Sequence, residues 1–356
     1  MKIIGKILII VVILSAFTLT AEAAEPEDYI EEFESGLPEE YKDAVDNVLS
    51  DTSLGPASFL GEVLAVISGR RGEIVSFLLL LLGGVAFMAV ASLGGRLSEA
   101  AGVAVSVIVT SSALAVCAPL FLEVCESLEV ISEVFSVFVP VASAIAVSGG
   151  NVNTAAVGAV CMNVTVSALL GLGTPFFLGL AAFGLGIGII SSFGDEGLAP
   201  LSGSVKKFFV STLGLVCAVL MGAMSLQTFV AATRDSATMR AAKYAATSMI
   251  PMVGSTVAGA MTTLATGLTY AKGVVGASAV GVICSVFIAP MLLLLLYRLA
   301  ISFATSCSAY LGVKRAVSTL EALRLPFDLF IATYSLAVVL YIFEIALFLV
   351  TGVGVS

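Results

Sequence analysis

The chain has 356 residues, of which 59% are hydrophobic and 12% charged, with a formal net charge of −9 and no histidine. A soluble domain carries about 25% charged residues, so this composition excludes an ordinary soluble globule. The missing histidine excludes Ser-His and Cys-His catalysis, histidine-ligated zinc and histidine proton relays. No Gly-x-x-x-x-Gly-Lys sequence is present, which excludes a P-loop. We therefore expect a protein that is not an enzyme, with no catalytic residues, metal site or cofactor.

The amino terminus has the three-part plan of a secretory signal. Two lysines precede the apolar run Ile7–Leu19, and Ala21 and Ala23 are the small residues that a signal peptidase reads. We predict a signal peptide over residues 1–23, and an uncleaved signal anchor is the alternative. In both cases the following segment lies outside the cytoplasm.

The negative charge is concentrated in the segment that follows the signal. Residues 24–62 hold twelve acidic residues and one lysine, whereas twelve acidic and thirteen basic residues follow from Val63 onward. Export tolerates acids better than Lys and Arg, so residues 24–69 are predicted to be an acidic extracytoplasmic segment. Its charge argues against nucleic acid as a partner. Two amphipathic helices, over 38–49 and 59–67, are predicted to lie in the membrane interface or on a partner.

Residues 70–356 form the predicted membrane domain. Lipid offers no hydrogen-bond partners to the backbone, and the long apolar runs lack the alternation of a barrel strand, so we predict an all-α polytopic transmembrane bundle. We count six to nine crossings of ~30 Å of hydrocarbon. The candidate segments are Ile74–Leu93, Gly102–Leu122, Phe135–Ser148, Thr154–Leu172, Pro175–Phe193, Phe208–Ala232, Tyr244–Tyr270, Val274–Tyr297 and Pro326–Val350.

Two parts of this domain leave the topology open. Phe135–Ser148 and Thr154–Leu172 either cross the membrane separately or form a re-entrant hairpin around a glycine- and asparagine-rich turn. The stretch Tyr244–Tyr270, which Pro251 and Gly254 interrupt, is either a span packed only against protein or an amphipathic element on the surface.

The charged residues give partial information on sidedness. Four glutamates without a neighbouring base predict an outside loop after Leu122, where they form a solvated helix face or a cation-attracting stripe. These are Glu123, Glu126, Glu129 and Glu133. Lys314, Arg315 and Arg324 indicate a cytoplasmic loop. Arg70 and Arg71 conflict with this scheme, because it places them outside.

Two charges within or beside apolar spans are functional candidates. Glu344 lies inside the last span, and Arg298 lies at the end of another. Ionisable residues at such positions are costly and are hypotheses of function by default. A pairing of these two side chains would lock two helices together or form part of an ion path.

One region carries a more specific pattern. Met239-Arg240-Ala241-Ala242-Lys243-Tyr244-Ala245 is followed by Ser248-Met249-Ile250-Pro251-Met252-Val253-Gly254, and then by Lys272-Gly273-Val274-Val275-Gly276. With these motifs, its signal segment and its acidic external stretch, the chain resembles the stage III sporulation protein AE family of endospore-forming bacteria. The resemblance extends over essentially the whole chain.

The resemblance implies a membrane subunit, permease-like core or scaffold, of the stage III A complex in the mother-cell membrane around the engulfed forespore. Its expected partners are the other stage III A proteins, a forespore membrane protein and the lipid bilayer. The complex would form a secretion-like channel needed for late forespore gene expression. A self-contained secondary transporter of a small solute is the alternative, although only one broken helix and no internal repeat point to it.

Six residues around these motifs are candidates for assembly or for lining a pore. Arg240 and Lys243 share a helix face and would hold carboxylates of a partner or lipid phosphate, or would anchor the helix at the interface. Pro251 and Gly254 would break a helix beside a pore or within a simple linker. Lys272 and Gly276 complete the set.

Overall fold

The computed structural model describes residues 26–39, 41–42, 56–92, 95–171, 199–249 and 254–350, with six isolated positions between 179 and 190. Within these residues the fold is all-α, as predicted, and contains no strand. We number the helices in chain order. They are α1 (Pro26–Gly36), α2 (Pro56–Ala91), α3 (Gly95–Ser148), α4 (Val152–Gly171), α5 (Ala199–Met249), α6 (Gly254–Tyr310) and α7 (Lys314–Val350).

Five of the described helices are long and apolar enough to cross a membrane, which confirms the polytopic helical fold. They are α2, α3, α5, α6 and α7. In α4 a shorter apolar stretch covers Val152–Ala168. Of the predicted segment Pro175–Phe193 the structure describes only six of nineteen residues, so the count of six to nine crossings stays a prediction.

Several predicted segments join into single helices. Gly102–Leu122 and Phe135–Ser148 are both part of α3, so the predicted loop between them is wrong. Glutamate is a good helix former, so the acidic residues between the segments do not interrupt the helix. Glu126, Glu129 and Glu133 are exposed on its surface, which agrees with a solvated helix face.

The same merging occurs in α2 and α6. The predicted amphipathic helix 59–67 is the beginning of α2 and continues into the first span. The second half of Tyr244–Tyr270 continues into Val274–Tyr297 as part of α6. The other predicted amphipathic helix, 38–49, lies mostly outside the described residues.

Tight turns connect α3 to α4 and α6 to α7. Gly150 and Gly312 have φ angles of 79° and 71°, a left-handed conformation that glycine adopts without steric cost. The backbone N–H of Asn151 donates to the carbonyl of Ala146 at 2.8 Å, and that of Val313 donates to Ser308 at 3.0 Å. In both turns the preceding helix therefore ends with hydrogen bonds to carbonyl groups of its own last turn. The first of these turns makes α3 and α4 a helical hairpin.

The core surrounds α7, which contacts α3, α4, α5 and α6. Contacts between α3 and α7 advance together along both helices, so the two run parallel. Phe121 stacks on Phe330 with ring centroids 4.3 Å apart. Further along, Ser127 and Ser132 share hydrogen bonds of 2.8 and 3.1 Å with the hydroxyls of Tyr334 and Tyr341.

Helix α6 runs antiparallel to α7. Tyr297, near the end of α6, stacks on Phe327 near the start of α7, whereas Phe287 lies against Tyr334 further along. At the opposite end of the pair, Gly276 packs against Leu349. The start of α6 and the end of α7 therefore lie at the same end of the bundle, together with the α3–α4 hairpin.

The acidic helix α1 packs onto that end of the bundle. The ring of Phe33 meets Phe138 edge-on at 6.3 Å, and the Tyr29 hydroxyl shares a 2.7 Å hydrogen bond with Ser148. Phe33 is fully buried. This part of the acidic segment is therefore held by the membrane domain itself.

Candidate functional site

Glu344 is buried in the upper half of α7, the half nearest Val350. Its residue is 2% exposed. The Thr165 hydroxyl of α4 donates a hydrogen bond to Glu344 Oε1. The other carboxyl oxygen, Oε2, has no hydrogen-bond partner among the described residues. The sequence rule that singled out a charge in an apolar span therefore found an enclosed and only partly satisfied carboxyl group.

A small cavity adjoins this carboxyl group. It has a volume of ≈ 30 Å³, and α3, α4, α5 and α7 contribute its walls. Small residues open the space, including Ala142 of α3 and Gly158 of α4. Thr154 also lines it, and its buried Oγ1 lies beside the Asp235 carboxylate without a hydrogen bond of normal geometry to any described residue. Two unsatisfied oxygens from different helices thus border one cavity.

Asp235 of α5 forms hydrogen bonds with the beginning of α4, next to this cavity. Its Oδ1 accepts hydrogen bonds from the backbone and side-chain nitrogens of Asn153 at 3.1 and 2.8 Å, and its Oδ2 accepts one from the Thr154 backbone at 2.7 Å. The first N–H groups of a helix lack partners within it and favour a negative charge. The carboxylate therefore caps α4 from a neighbouring helix.

A second buried carboxylate, Asp328, lies about 24 Å further down α7, since sixteen residues at 1.5 Å each separate it from Glu344. Its side chain is 7% exposed. Lys206 of α5 and Arg298 of α6 each donate to one of its oxygens, and Arg324 Nε lies 3.7 Å from Oδ2. This junction holds three cations around one anion and ties α5, α6 and α7 together.

The predicted pairing of Arg298 with Glu344 is therefore wrong. Arg298 is paired with Asp328 instead, because the antiparallel packing of α6 on α7 brings their charged ends together. Sequence reasoning missed Asp328, although it too is an acidic residue within the predicted span Pro326–Val350. The rule that selected Glu344 applies equally to it.

The structure also shows how Arg70 is accommodated. Its guanidinium donates to Glu73 and to Glu123 of α3, both at 3.1 Å. Two carboxylates thus compensate its charge at the junction of α2 and α3. The conflict noted for this position stays open, because the positive-inside tendency counts lysine and arginine and is not a rule of net charge.

The motif residues are divided between the core and the surface. Lys272 is buried, with its Nζ 4.8 Å from the ring centroid of Phe348, a residue that also lines the Glu344 cavity. Gly276 is buried where an added Cβ would lie 2.6 Å from Leu349 Cδ2. Arg240 is exposed on α5, and Gly254 begins α6. The Lys243 side chain and Pro251 lie outside what the structure describes.

The family model for stage III sporulation protein AE matches residues 74–354, which is most of the chain. The chain belongs to that family. The matched residues include the Glu344 cavity, the Asp328 junction and all the motif residues, whereas the acidic helix α1 precedes them. Comparison with curated proteins and with solved structures gives no match. The resemblance inferred from the motifs is confirmed, and the chain is a membrane protein of a sporulation family.

Proposed function

We propose that this protein is a membrane subunit, permease-like core or scaffold, of the stage III A channel that links mother cell and forespore. Its location would be the mother-cell membrane around the engulfed forespore, and its role would be to support late forespore gene expression. Its partners would be the other stage III A proteins and a forespore membrane protein. Family membership supports the sporulation role, and the length of the helices supports the channel role.

Helix length is the observation that carries the channel proposal. Helices α3, α5 and α6 contain 54, 51 and 57 residues. At 1.5 Å per residue each is roughly 75–85 Å long, whereas about 20 residues cross the hydrocarbon of one bilayer. Helices of this length would extend beyond one membrane. A subunit that reaches from its membrane into an intermembrane space needs such helices, whereas a small-solute transporter does not.

The outer face of α5 is consistent with assembly. Phe208 and Phe229 are 74% and 71% exposed, and Leu215, Val219 and Leu226 are exposed between them. Lipid covers such a face within the bilayer, and other subunits would cover what extends beyond it. Arg240 lies on the same helix, beyond this apolar stretch, where it would meet carboxylates of a partner or lipid phosphate.

The test is deletion of the gene in a spore-forming host, with complementation by the wild-type protein. We expect arrest after engulfment and a silent late forespore reporter, both restored by the wild-type copy. Co-purification would then compare the double variant Arg240→Glu/Lys243→Glu with Lys207→Glu, a charge reversal at an exposed position near the start of α5. Loss of partners only in the double variant would support assembly through the basic motif.

A secondary transporter remains the second candidate, and the buried Glu344 favours it, since carboxyl groups within spans are frequent in ion-coupled transport. Normal spores after deletion of the gene would contradict the channel proposal. Solute uptake by the purified protein in vesicles would then support the transporter.

A further inference from the structure

The described surroundings of the Glu344 carboxyl group fully stabilise neither its ionised form nor its neutral form. An ionised carboxylate buried without a cation is strongly disfavoured. Among the described residues no lysine or arginine forms an ion pair with it, and the Thr165 hydroxyl is its one hydrogen-bond partner. If the group is neutral, its O–H can donate to the Thr165 hydroxyl, but the second carboxyl oxygen still has no partner among the described residues. In both states Oε2 needs a partner that the described protein atoms do not supply.

A water molecule in the adjoining cavity would supply that partner. A water molecule needs about 10–15 Å³ of such space and two to four polar neighbours. The cavity has ≈ 30 Å³, and Glu344 Oε2 and Thr154 Oγ1 are the unsatisfied oxygens on its walls. Thr228 of α5 adds a third hydroxyl to the lining. One or two waters therefore fit by volume, and hydroxyl and carboxyl groups are among the lining residues.

The cavity is close to one end of the bundle. Thr154 is in the first turn of α4, and its neighbour Asn153 is exposed. The wall of the cavity therefore begins one residue away from exposed surface. Most of the wall is apolar and gives a proton few other places to bind.

We propose that this cavity is a hydrated proton-binding site, in which Glu344 takes up and releases a proton through water that also contacts Thr154. In uptake, hydronium at the aqueous end transfers a proton to cavity water, which transfers one to Oε2. The carboxylate becomes a carboxylic acid, and one positive charge enters the bundle. Release is the reverse. The inference goes beyond the channel role, and its test does not depend on that role.

Among the described residues few other titratable groups surround the site, and on α7 itself Tyr341, three residues before Glu344, shares a hydrogen bond with Ser132. The α3 wall contributes alanine and serine, and α4 contributes the Cys161 thiol, whose Sγ lies 3.7 Å from Gln227 Oε1. On α5, Asp235 is bonded to the Thr154 backbone, and on α6, Lys272 lies over the ring of Phe348. The variants Asp235→Asn and Lys272→Met separate the titration of these two charged groups from that of Glu344.

Infrared difference spectroscopy of the purified protein in nanodiscs tests the proposal. We expect a protonated-carboxyl band that grows as the pH is lowered, shifts in D₂O and is lost in Glu344→Gln. The band should persist in Glu126→Gln, which removes an exposed carboxylate from α3. In Thr154→Val the band should persist, but its exchange in D₂O should be slower because a polar contact of the water is gone.

Carbodiimide labelling of the wild-type protein tests the same point without a variant. Carbodiimides attack protonated carboxyl groups in apolar surroundings, so peptide mass spectrometry should find Glu344 modified, and more so at lower pH. A carboxyl band that is unaffected by Glu344→Gln, or one that does not respond to pH while the protein stays folded, would overturn the proposal. Protection of Glu344 from labelling by Na⁺ but not by K⁺ would also overturn it, in favour of a metal-ion site.

Discussion

Helix α7 carries two buried carboxyl groups whose surroundings are opposites. Asp328 is surrounded by Lys206, Arg298 and Arg324, so its charge is fully used in holding three helices together. Within the part of the chain that the structure describes, Glu344 has one hydrogen-bond partner, Thr165, and an adjoining cavity. A carboxyl group therefore forms a structural ion-pair junction in one half of the helix, whereas in the other half it can change its protonation state, as proposed above. The presence of an acidic residue in an apolar span does not distinguish these two roles. The bonding partners of the carboxyl group and the free space beside it do.

The largest effect on stability should come from replacing Asp328, the anion at the junction of α5, α6 and α7. Asp328→Asn leaves the Lys206 and Arg298 cations, 38% and 30% exposed, without their counter-charge. Breaking a fully buried pair costs about 3–5 kcal/mol, and the partial exposure of these cations places the loss toward the lower end. We expect a large fall in thermal stability. The chain has no tryptophan but six cysteines, four of them buried. A thiol-reactive fluorophore therefore reports unfolding.

Glu344→Gln is the matched comparison. Glutamine keeps the shape and can still accept from Thr165, so we expect a change within about 1 kcal/mol. If Glu344→Gln destabilised the protein as much as Asp328→Asn, the distinction between the two halves of α7 would fail.

The contrast also shows how far the sequence could lead. Apolar runs fix where helices pass through the membrane, and the all-α bundle followed from them. The joining of segments in α3 was missed because the glutamates after Leu122 indicate polarity, not an end to the helix. The partners of Asp328 come from three helices, and only tertiary packing brings those helices to one point.

Asp235 holds an intermediate position, because it fastens the helix that forms one wall of the cavity. Asp235→Ala removes the acceptor of three hydrogen bonds at the beginning of α4, and loss of a helix cap costs about 0.5–2 kcal/mol. We expect faster hydrogen–deuterium exchange confined to the first turns of α4. Exchange that accelerates equally at the Asp328 junction would show that the two halves of the bundle unfold as one unit.

Thr165→Val should sharpen the comparison with a smaller effect. It removes the hydroxyl that bonds Glu344 while keeping the volume of the side chain, and a typical hydrogen bond contributes about 0.5–1.5 kcal/mol. Cavity water can replace part of that bond, so we expect a loss at the lower end of this range, measured with the same fluorophore. A loss of stability comparable to that of Asp328→Asn would mean that Thr165 itself is a major contact between α4 and α7.

The smallest effect is expected at Gly276, where α6 approaches the last turn of α7. A methyl group in Gly276→Ala would come within 2.6 Å of Leu349 Cδ2, but Leu349 is 38% exposed and its side-chain end can move away. We expect a loss smaller than that of Thr165→Val, and well below the roughly 1–3 kcal/mol of an overpacked core. The double variant Gly276→Ala/Leu349→Ala should recover most of it. If the double variant is instead less stable than Gly276→Ala, the close approach to Leu349 is not the reason for glycine at this position. This end of α7 would then depend on packing by Leu349 as strongly as the opposite half depends on Asp328.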